Sequence, residues 1–576
     1  LVGEIKYGSD LVVELLKRSD ITYFSCTPGA TFRGIHDSLV QGDENIHLVT
    51  TPTEGFSVAM AHGYAKATGK MMAVGLHNIV GLQQASMAIF NAWCDRVPIL
   101  LIGATGPVSK ARRRPWIDWI HTALTQGQIV RDYVKWDDQP ATIADVPESL
   151  GRAITTALSS PRGPVYVCLD VDIQEDPITD LDFADALSAQ YLIPSDPSPN
   201  LEEITKFLNS YSKSLRPVIV TDYAGETESG FTNLLALAQA HQIPVVDGPA
   251  RFSFPSKHPL NASFVPDVIA EADLIIAIDV ADVYATLFES LFSQADESNM
   301  RRDIPEIFHF TAGHYKNRSW SHEYGRLVPN VKTISSSSRE AIRVLLEVMV
   351  PPSAELLQER MSWADRHIQS ARKKWVTQAE SASREVDGIT TTLLADAIGK
   401  EISDFSWTLT NGSLDGWERK LWSFVDFRQH LGWHGGAGLG YGLGASAGAA
   451  LAIGTDRLCI DLQPDGDFLF HPAGLWTLAH SQIPLLIIMN NNRQYKNSTD
   501  HASKIATNRG RPTELRHAGT SLRDPDIDYS HIARGFGVWA CGPVEKPSDL
   551  AAALREAIKV VQSGKPALVD VVTIGS

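Results

Sequence analysis

The residues in this chain best placed to do chemistry lie between positions 457 and 496. Residues 457–462 read as a strand ending in Gln463-Pro464-Asp465-Gly466-Asp467. A helical stretch over 472–480 follows, then a second apolar strand, 484–489, which ends in Asn490-Asn491-Asn492. Asn492 stands 27 residues after Asp465, about the length of one β–α–β unit. Both residues are therefore expected at the carboxyl ends of parallel strands, the edge where open α/β sheets bind ligands. A carboxylate and an amide oxygen meeting there, with no cysteine or histidine, suit a hard cation. Mg²⁺ takes oxygen ligands and bridges to phosphates. The same residue types are ordinary turn formers, and the spacing alone leaves both readings open.

Two further segments could serve such a site. The run from His434 to Ser446 alternates glycine with Ala437, Leu439, Tyr441 and Leu443; read alone, it is either a nucleotide loop or close helix–strand packing. Far upstream, Glu54 opens an alanine-rich helical stretch that stops at Gly69. By itself it is an acidic residue in a first helical turn, which the helix dipole favours.

Taken together, these segments resemble the thiamine-diphosphate (ThDP) enzymes, in which a Gly-Asp-Gly turn precedes an Asn-Asn pair and a glutamate segment lies in the first domain. The resemblance covers essentially the whole chain and is nearest to the benzoylformate decarboxylase and acetolactate-synthase-like branch. It implies that Asp465, Asn492 and the carbonyl of Gln494 hold Mg²⁺. Gly466 and Asp467 would then contact the diphosphate, the Ala437 carbonyl would meet the aminopyrimidine, and Leu439 would prop the cofactor into a bent shape. Glu54 matches the catalytic acid set against the pyrimidine ring. Two departures stand out: Pro464 replaces the first glycine, and Arg493 replaces the small residue usual after the asparagine pair, with Lys496 adding charge nearby.

The resemblance also bears on substrate chemistry. His77, in Leu76-His77-Asn78, is similar to the proton-relaying histidine of benzoylformate decarboxylase, a task suited to a group that titrates near neutrality. His121 falls near the place of an active-site glutamine in acetolactate-synthase-like enzymes. Ala30 stands where benzoylformate decarboxylase has its substrate-binding serine. Trp116, Trp119, Trp417, Trp422 and Trp433 are candidates for an aromatic pocket or for plain core. The implied activity is a lyase or carboligase acting on a 2-oxo acid. After CO₂ leaves, the carbanion is protonated to an aldehyde or added to a second carbonyl, such as an aldehyde acceptor. The alternative is an acetolactate-synthase-like transferase forming a 2-hydroxy ketone or acid. In this family the first domain of one subunit meets the third domain of another, which implies a homodimer or homotetramer with its sites at the interface. Some relatives hold FAD in the middle domain. Here the run Tyr223-Ala-Gly-Glu-Thr-Glu-Ser-Gly230 carries Glu226 and Glu228 and reads as a surface loop, so FAD is not expected.

Positioning these residues calls for an α/β class with three doubly wound parallel-sheet domains: pyrimidine-binding (1–185), middle (195–350) and diphosphate-binding (385–576). Strand-like and helical segments alternate throughout, which implies parallel sheets covered on both faces. The proline-rich stretch 193–199 and the pair Pro351-Pro352 mark the joints, and a charged helix from 354 to 383 leads into the third block. The length of 576 residues agrees with several domains, and the 44% hydrophobic content argues against disorder. A net charge of −16 argues against nucleic-acid binding, which draws on Lys and Arg. The longest apolar runs are strand-length, so no membrane span is expected. Five scattered cysteines form no CxxC pair and suit a reducing compartment, which points to the cytoplasm for whatever follows any leader before Leu1.

Overall fold

A computed structural model describes residues 5–574, apart from 42–45, 115–119, 179–182, 184–191, 293–303, 314–325, 383–386 and 413. The expected domain limits at 1, 185, 385 and 576, together with Trp116 and Trp119, lie outside the described residues.

Three sheets carry the architecture, and all their strand pairs are parallel. The first contains β1 (Tyr23–Cys26), β2 (His47–Thr50), β3 (Ala73–Leu76), β4 (Leu100–Thr105), β5 (Asp137–Asp138) and β6 (Val165–Asp170), in the order β2-β1-β3-β4-β6-β5. The middle sheet is β11-β10-β9-β7-β8, from β7 (Pro217–Thr221), β8 (Val245–Asp247), β9 (Leu274–Ile278), β10 (Glu306–Thr311) and β11 (Val331–Ser335). The third is β12-β13-β14-β16-β15, from β12 (Trp407–Asn411), β13 (Leu458–Pro464), β14 (Leu486–Asn491), β15 (Trp539–Val544) and β16 (Ala567–Val572). The central strands β3, β4, β7, β9, β14 and β16 are buried along their whole length, as strands covered by helices on both faces must be. In the first sheet the chain order reverses between β1 and β3, which opens a crevice at their carboxyl ends.

Six helices matter for the site: α1 (Glu54–Thr68), α2 (Asn78–Cys94), α3 (Ala354–Ala382), α4 (Trp417–Leu421), α5 (Tyr441–Ile453) and α6 (Lys496–Asn508). The Thr53 side chain caps α1 by accepting the Phe56 N–H, and Gly69 ends it at φ 72°, a left-handed turn glycine adopts freely. α1 is buried from Gly55 through Ala65 because α5 crosses it at backbone contact. A Cβ on Gly63 would lie 1.8 Å from the Ala445 carbonyl oxygen, and one on Gly448 would lie 1.8 Å from that of Met60. Glycine at these two positions lets the first and third domains pack this closely within one chain.

Beside that crossing lies a buried ionic node. The Asp95 carboxylate, directly after α2, accepts from His62 Nε2 at 2.6 Å, Lys66 Nζ at 2.8 Å and Arg251 Nη1 at 2.7 Å. Lys66 also donates to the Trp433 carbonyl at 2.7 Å. Burial alone would raise the Asp95 pKa, but Arg251 and Lys66 override it and hold the carboxyl well below the usual range. Burial likewise pulls His62 down to about 4, so the ring is neutral.

The segment from Tyr223 to Gly230 departs from the expected surface loop. Tyr223, Ala224 and Gly225 are buried, and the Tyr223 ring lies under the guanidinium of Arg96 at 4.4 Å. Only the following turn is outside, where Thr227 caps the helix Glu228–His241. The glutamates occupy the capped end and not the strand end. Of the cysteines, Cys26, Cys94, Cys168 and Cys459 are buried and Cys541 is half-buried, all as free thiols. Among the described residues, no helix is long and apolar enough to cross a membrane.

Replacing Asp95 by alanine should lower the unfolding free energy by about 3–5 kcal/mol in urea titration, because two buried cations lose their counter-charge.

Candidate active site

β13 and β14 are hydrogen-bonded neighbours, with Pro464 opposite Asn490, so the turns that follow them lie side by side. Asp465 begins a short helical turn, Asp465–Phe468, and is buried. Its Oδ1 accepts the Gly466 N–H at 2.8 Å, and its Oδ2 lies 3.3 Å from the Gln494 N–H. The same N–H donates to Asn492 Oδ1 at 3.0 Å. One backbone donor thus holds the carboxylate and the amide oxygen together, as the 27-residue spacing predicts. Burial pushes the Asp465 carboxyl up to about 6, even against the N–H groups that favour its charged form. Along β14 the side chains alternate: Asn490 and Asn492 face the cavity, while Asn491 donates to Asp570 Oδ1 at 3.0 Å.

These groups line a cavity of about 530 Å³, a size common among small-molecule sites. Asp465, Gly466, Asp467, Asn492, Gln494 and Lys496 line it, together with Trp433, His434, Ala437 and Leu439. Gly466 lacks the Cβ that would meet the Tyr495 ring at 2.5 Å, which lets the two turns pack together. Arg493 takes φ 58°, which explains why a small residue is usual there. Its guanidinium turns to Glu545 at 3.1 Å and Asp526 at 3.3 Å and does not line the cavity, whereas Lys496, paired with Asp500 at 2.6 Å, does.

The glycine-rich run also lines the cavity and is held from both sides. Asp467 Oδ1 accepts the Gly440 N–H at 2.7 Å, and Oδ2 accepts the Gly442 N–H at 3.2 Å, capping the start of α5. Asn91, on α2, pairs with Gly438 through both amide atoms, accepting its N–H and donating to its carbonyl, each at 2.9 Å. Between these anchors Ala437 sits at φ 55°, unusual for a residue with a Cβ, and Leu439 stands 39% exposed into the cavity. The His434 ring accepts the Ala437 N–H at 2.8 Å, and burial keeps it neutral, down to about 3. Of the tryptophans, Trp433 lines the cavity, Trp422 is core against Trp407 and Phe424, and Trp417 packs at the edge of that cluster.

Glu54, His77 and His121 gather elsewhere, at the carboxyl edge of the first sheet. Burial raises the Glu54 carboxyl, the direction that lets it hold a proton. A Cβ on Gly81 would lie 2.7 Å from Glu54 Oε1, so glycine there makes room for the carboxyl. The two rings meet directly, His77 Nε2 to His121 Nδ1 at 3.2 Å. Among the described residues, the cavity lining comes from positions 391–574, so within one chain Glu54 and Asp465 do not share a wall. The sequence, in which Asn91-Ala92-Trp93 already resembles benzoylformate decarboxylase, does not reveal Asn91, Asp467 or His434 as loop anchors; nothing local signals a side chain that acts by hydrogen-bonding a distant loop.

A three-domain α/β chain with an oxygen-donor cluster at one sheet edge and a buried carboxyl at another has the architecture of a cofactor-dependent enzyme. The family model for the N-terminal thiamine pyrophosphate binding domain matches residues 6–130, and that for the C-terminal binding domain matches residues 410–571. This chain belongs to the ThDP-dependent enzymes. It is 25% identical to benzoylformate decarboxylase of Pseudomonas aeruginosa over 567 residues, 97% of each chain. To acetolactate synthase 1 of Oryza sativa it is 22% identical over 588 residues, 99% of this chain and 85% of that one. Its fold matches the ThDP-dependent 4-hydroxybenzoylformate decarboxylase of Rhodococcus jostii with a TM-score of 0.79 at 21% identity, over 99% of each chain.

Asp467→Ala should leave the Gly440 and Gly442 N–H groups without acceptors, costing about 1–3 kcal/mol. Amide hydrogen exchange across 434–442 should speed up selectively.

Proposed function

We propose that this protein is a ThDP- and Mg²⁺-dependent lyase or carboligase acting on a 2-oxo acid. The observation that carries the reading is the meeting of Asp465, Asn492 and Gln494 in the lining of one cavity shared with Ala437 and Leu439. Among the described residues no group of three or more His, Cys, Asp or Glu side chains is arranged to hold a metal ion, so the donor set here is one carboxylate plus neutral oxygens. That set fits Mg²⁺ carrying phosphate and water in its remaining positions. Bound ThDP supplies the electron sink for the carbon that loses CO₂.

The chain's own groups then have separate tasks. Asp465 and the oxygens of Asn492 and Gln494 hold the cation, and Leu439 and the Ala437 carbonyl shape the cavity. Glu54, kept protonatable by burial, would hold a proton for the cofactor's pyrimidine, and His77 and His121 would move protons to and from the substrate. A second copy of the chain brings its first domain against this cavity, so the working unit is a homodimer or a pair of homodimers. The middle domain works without a flavin. Three aspartates, Asp222, Asp247 and Asp279, end or follow neighbouring strands at the edge where a diphosphate would lie. Arg419 and Arg96 already occupy Asp247 and Asp279.

Two variants and one assay test this reading. Asp465→Ala should abolish Mg²⁺-dependent ThDP binding in calorimetry, and unchanged affinity would refute the metal role. Glu54→Gln should leave ThDP bound but slow H/D exchange at its C2 by about 10²–10⁴-fold. A panel of 2-oxo acids and aldehydes, with CO₂ and ligated products scored separately, should show CO₂ release. Ligation outpacing aldehyde formation would favour the transferase.

A further inference from the structure

The carboxyl edge of the first sheet holds a hydrogen-bonded chain that sequence motifs do not reveal. Thr31, in the turn after β1, is 1% exposed, and its Oγ1 lies 3.0 Å from His77 Nδ1. His77 Nε2 in turn lies 3.2 Å from His121 Nδ1. β1 and β3, which carry Thr31 and His77 at their ends, are the two strands that flank the reversal of strand order. The crevice there is the part of an open α/β sheet that takes ligands.

The surroundings are built to hold these rings. Gly29 leaves the space in which the His77 ring lies, since a Cβ would come within 2.7 Å of its Cγ and Nδ1. Asn78 enters α2 at φ 44°, a strained conformation for a residue with a side chain. It is fully buried, and among the described residues neither of its amide atoms has a hydrogen-bond partner. The His77 carbonyl accepts the Gly81 N–H at 2.7 Å, and the His121 carbonyl accepts the Ile79 N–H at 3.3 Å. His121 is thereby fixed to α2 through its backbone as well as its ring.

We propose that Thr31 is a positioning residue that keeps the proton on His77 Nδ1 and so leaves Nε2 as the nitrogen that exchanges protons with His121. This rests on the proposed decarboxylase or carboligase reading. Before transfer, His77 carries protons on both nitrogens, with Nδ1–H donated to Thr31 Oγ1, and His121 carries one on Nε2. The His121 Nε2 proton passes to the substrate carbon as the His77 Nε2 proton moves to His121 Nδ1. Both rings end neutral, one proton has left, and the Nδ1–H to Thr31 bond is unchanged. The neutral ring left after transfer must offer a bare Nε2 to take up the next proton, and without the Thr31 hydroxyl its two tautomers become competitive, so a fraction of the rings cannot reload.

The test compares Thr31→Val, which keeps the shape and loses the hydroxyl, with Thr31→Ser, which restores it. Thr31→Val should lower turnover of a 2-oxo acid substrate on the order of 10-fold or more. It should also shift products from aldehyde towards ligation, with ThDP affinity and C2 exchange unchanged. Thr31→Ser should recover most of the turnover and the product ratio. Wild-type turnover and product ratio in Thr31→Val would overturn the proposal. Failure of the functional reading looks different: the wild-type protein would neither bind ThDP nor exchange its C2 proton. If Thr31→Val does not fold, ¹⁵N-histidine spectra of the wild-type holoenzyme decide, with the ring assigned through His77→Gln. A protonated Nδ1 on His77 supports the proposal and an unprotonated Nδ1 overturns it.

Discussion

The structure depends on the buried carboxylate of Asp95. Moving a carboxylate out of water costs several kcal/mol unless its partners are well placed, and here they come from different parts of the chain. His62 and Lys66 lie on α1, and Arg251 reaches in from the loop after β8, its Nη2 also donating to the Asp95 carbonyl at 3.1 Å. Lys66 continues to the Trp433 carbonyl, and Gly435 packs so closely that a Cβ would lie 2.6 Å from the Asp95 nitrogen. Three domains are therefore registered on one charge. The helix that begins at Glu54 and the loop that presents Ala437 and Leu439 both take their position from it. A change at the node would be felt at both ends of the chemistry without touching either.

The middle domain extends the same logic. Asp247 takes Arg419 of α4 at 2.9 Å, and Asp279 takes Arg96 of the first domain at 2.7 Å. Burial pushes Asp247 up to about 7 and Asp222 up to about 6, so these carboxyls need cationic neighbours to stay charged. This sheet edge offers aspartates to arginines on either side. α3, which runs from the middle domain towards the third, adds Arg372, whose guanidinium donates to the Ser256 and His258 carbonyls. The middle domain acts as a clamp holding its neighbours in register.

What the sequence made legible was mostly local. β13 and β14 overlap the apolar runs 457–462 and 484–489, and α1 begins at Glu54 and is capped at Gly69, because strand burial and a left-handed cap leave marks in neighbouring residues. The nearness of Asp465 and Asn492 was legible too, because a β–α–β unit is a local object with one handedness. The rest lies in pairings across hundreds of residues. Asn91 with Gly438, Asp95 with Arg251 and Thr31 with His77 involve residue types that fill turns and surfaces everywhere. The Tyr223 segment was misread for a related reason. Its glutamates describe the solvent side of a cap, while the Tyr223 ring answers to an arginine more than a hundred residues away.

These long-range pairings also shape how a complete site can form. Within one chain the first domain is fixed to the third by the glycine crossing of α1 and α5, by Asn91 and by the Asp95 node. Thr53, the cap of α1, is tied as well, its hydroxyl 3.0 Å from the His471 ring just beyond the Asp465 turn. Those contacts fix where the Glu54 edge stands, and Glu54 is not among the described residues that line the cavity with Asp465. Rotating the domain to bring them together would break a buried ion cluster and separate two helices packed at backbone distance. A second copy requires neither, since each chain can offer its finished first-domain edge to the other's cavity. The rigid contacts within one chain are thus the physical reason for placing the proposed site between two.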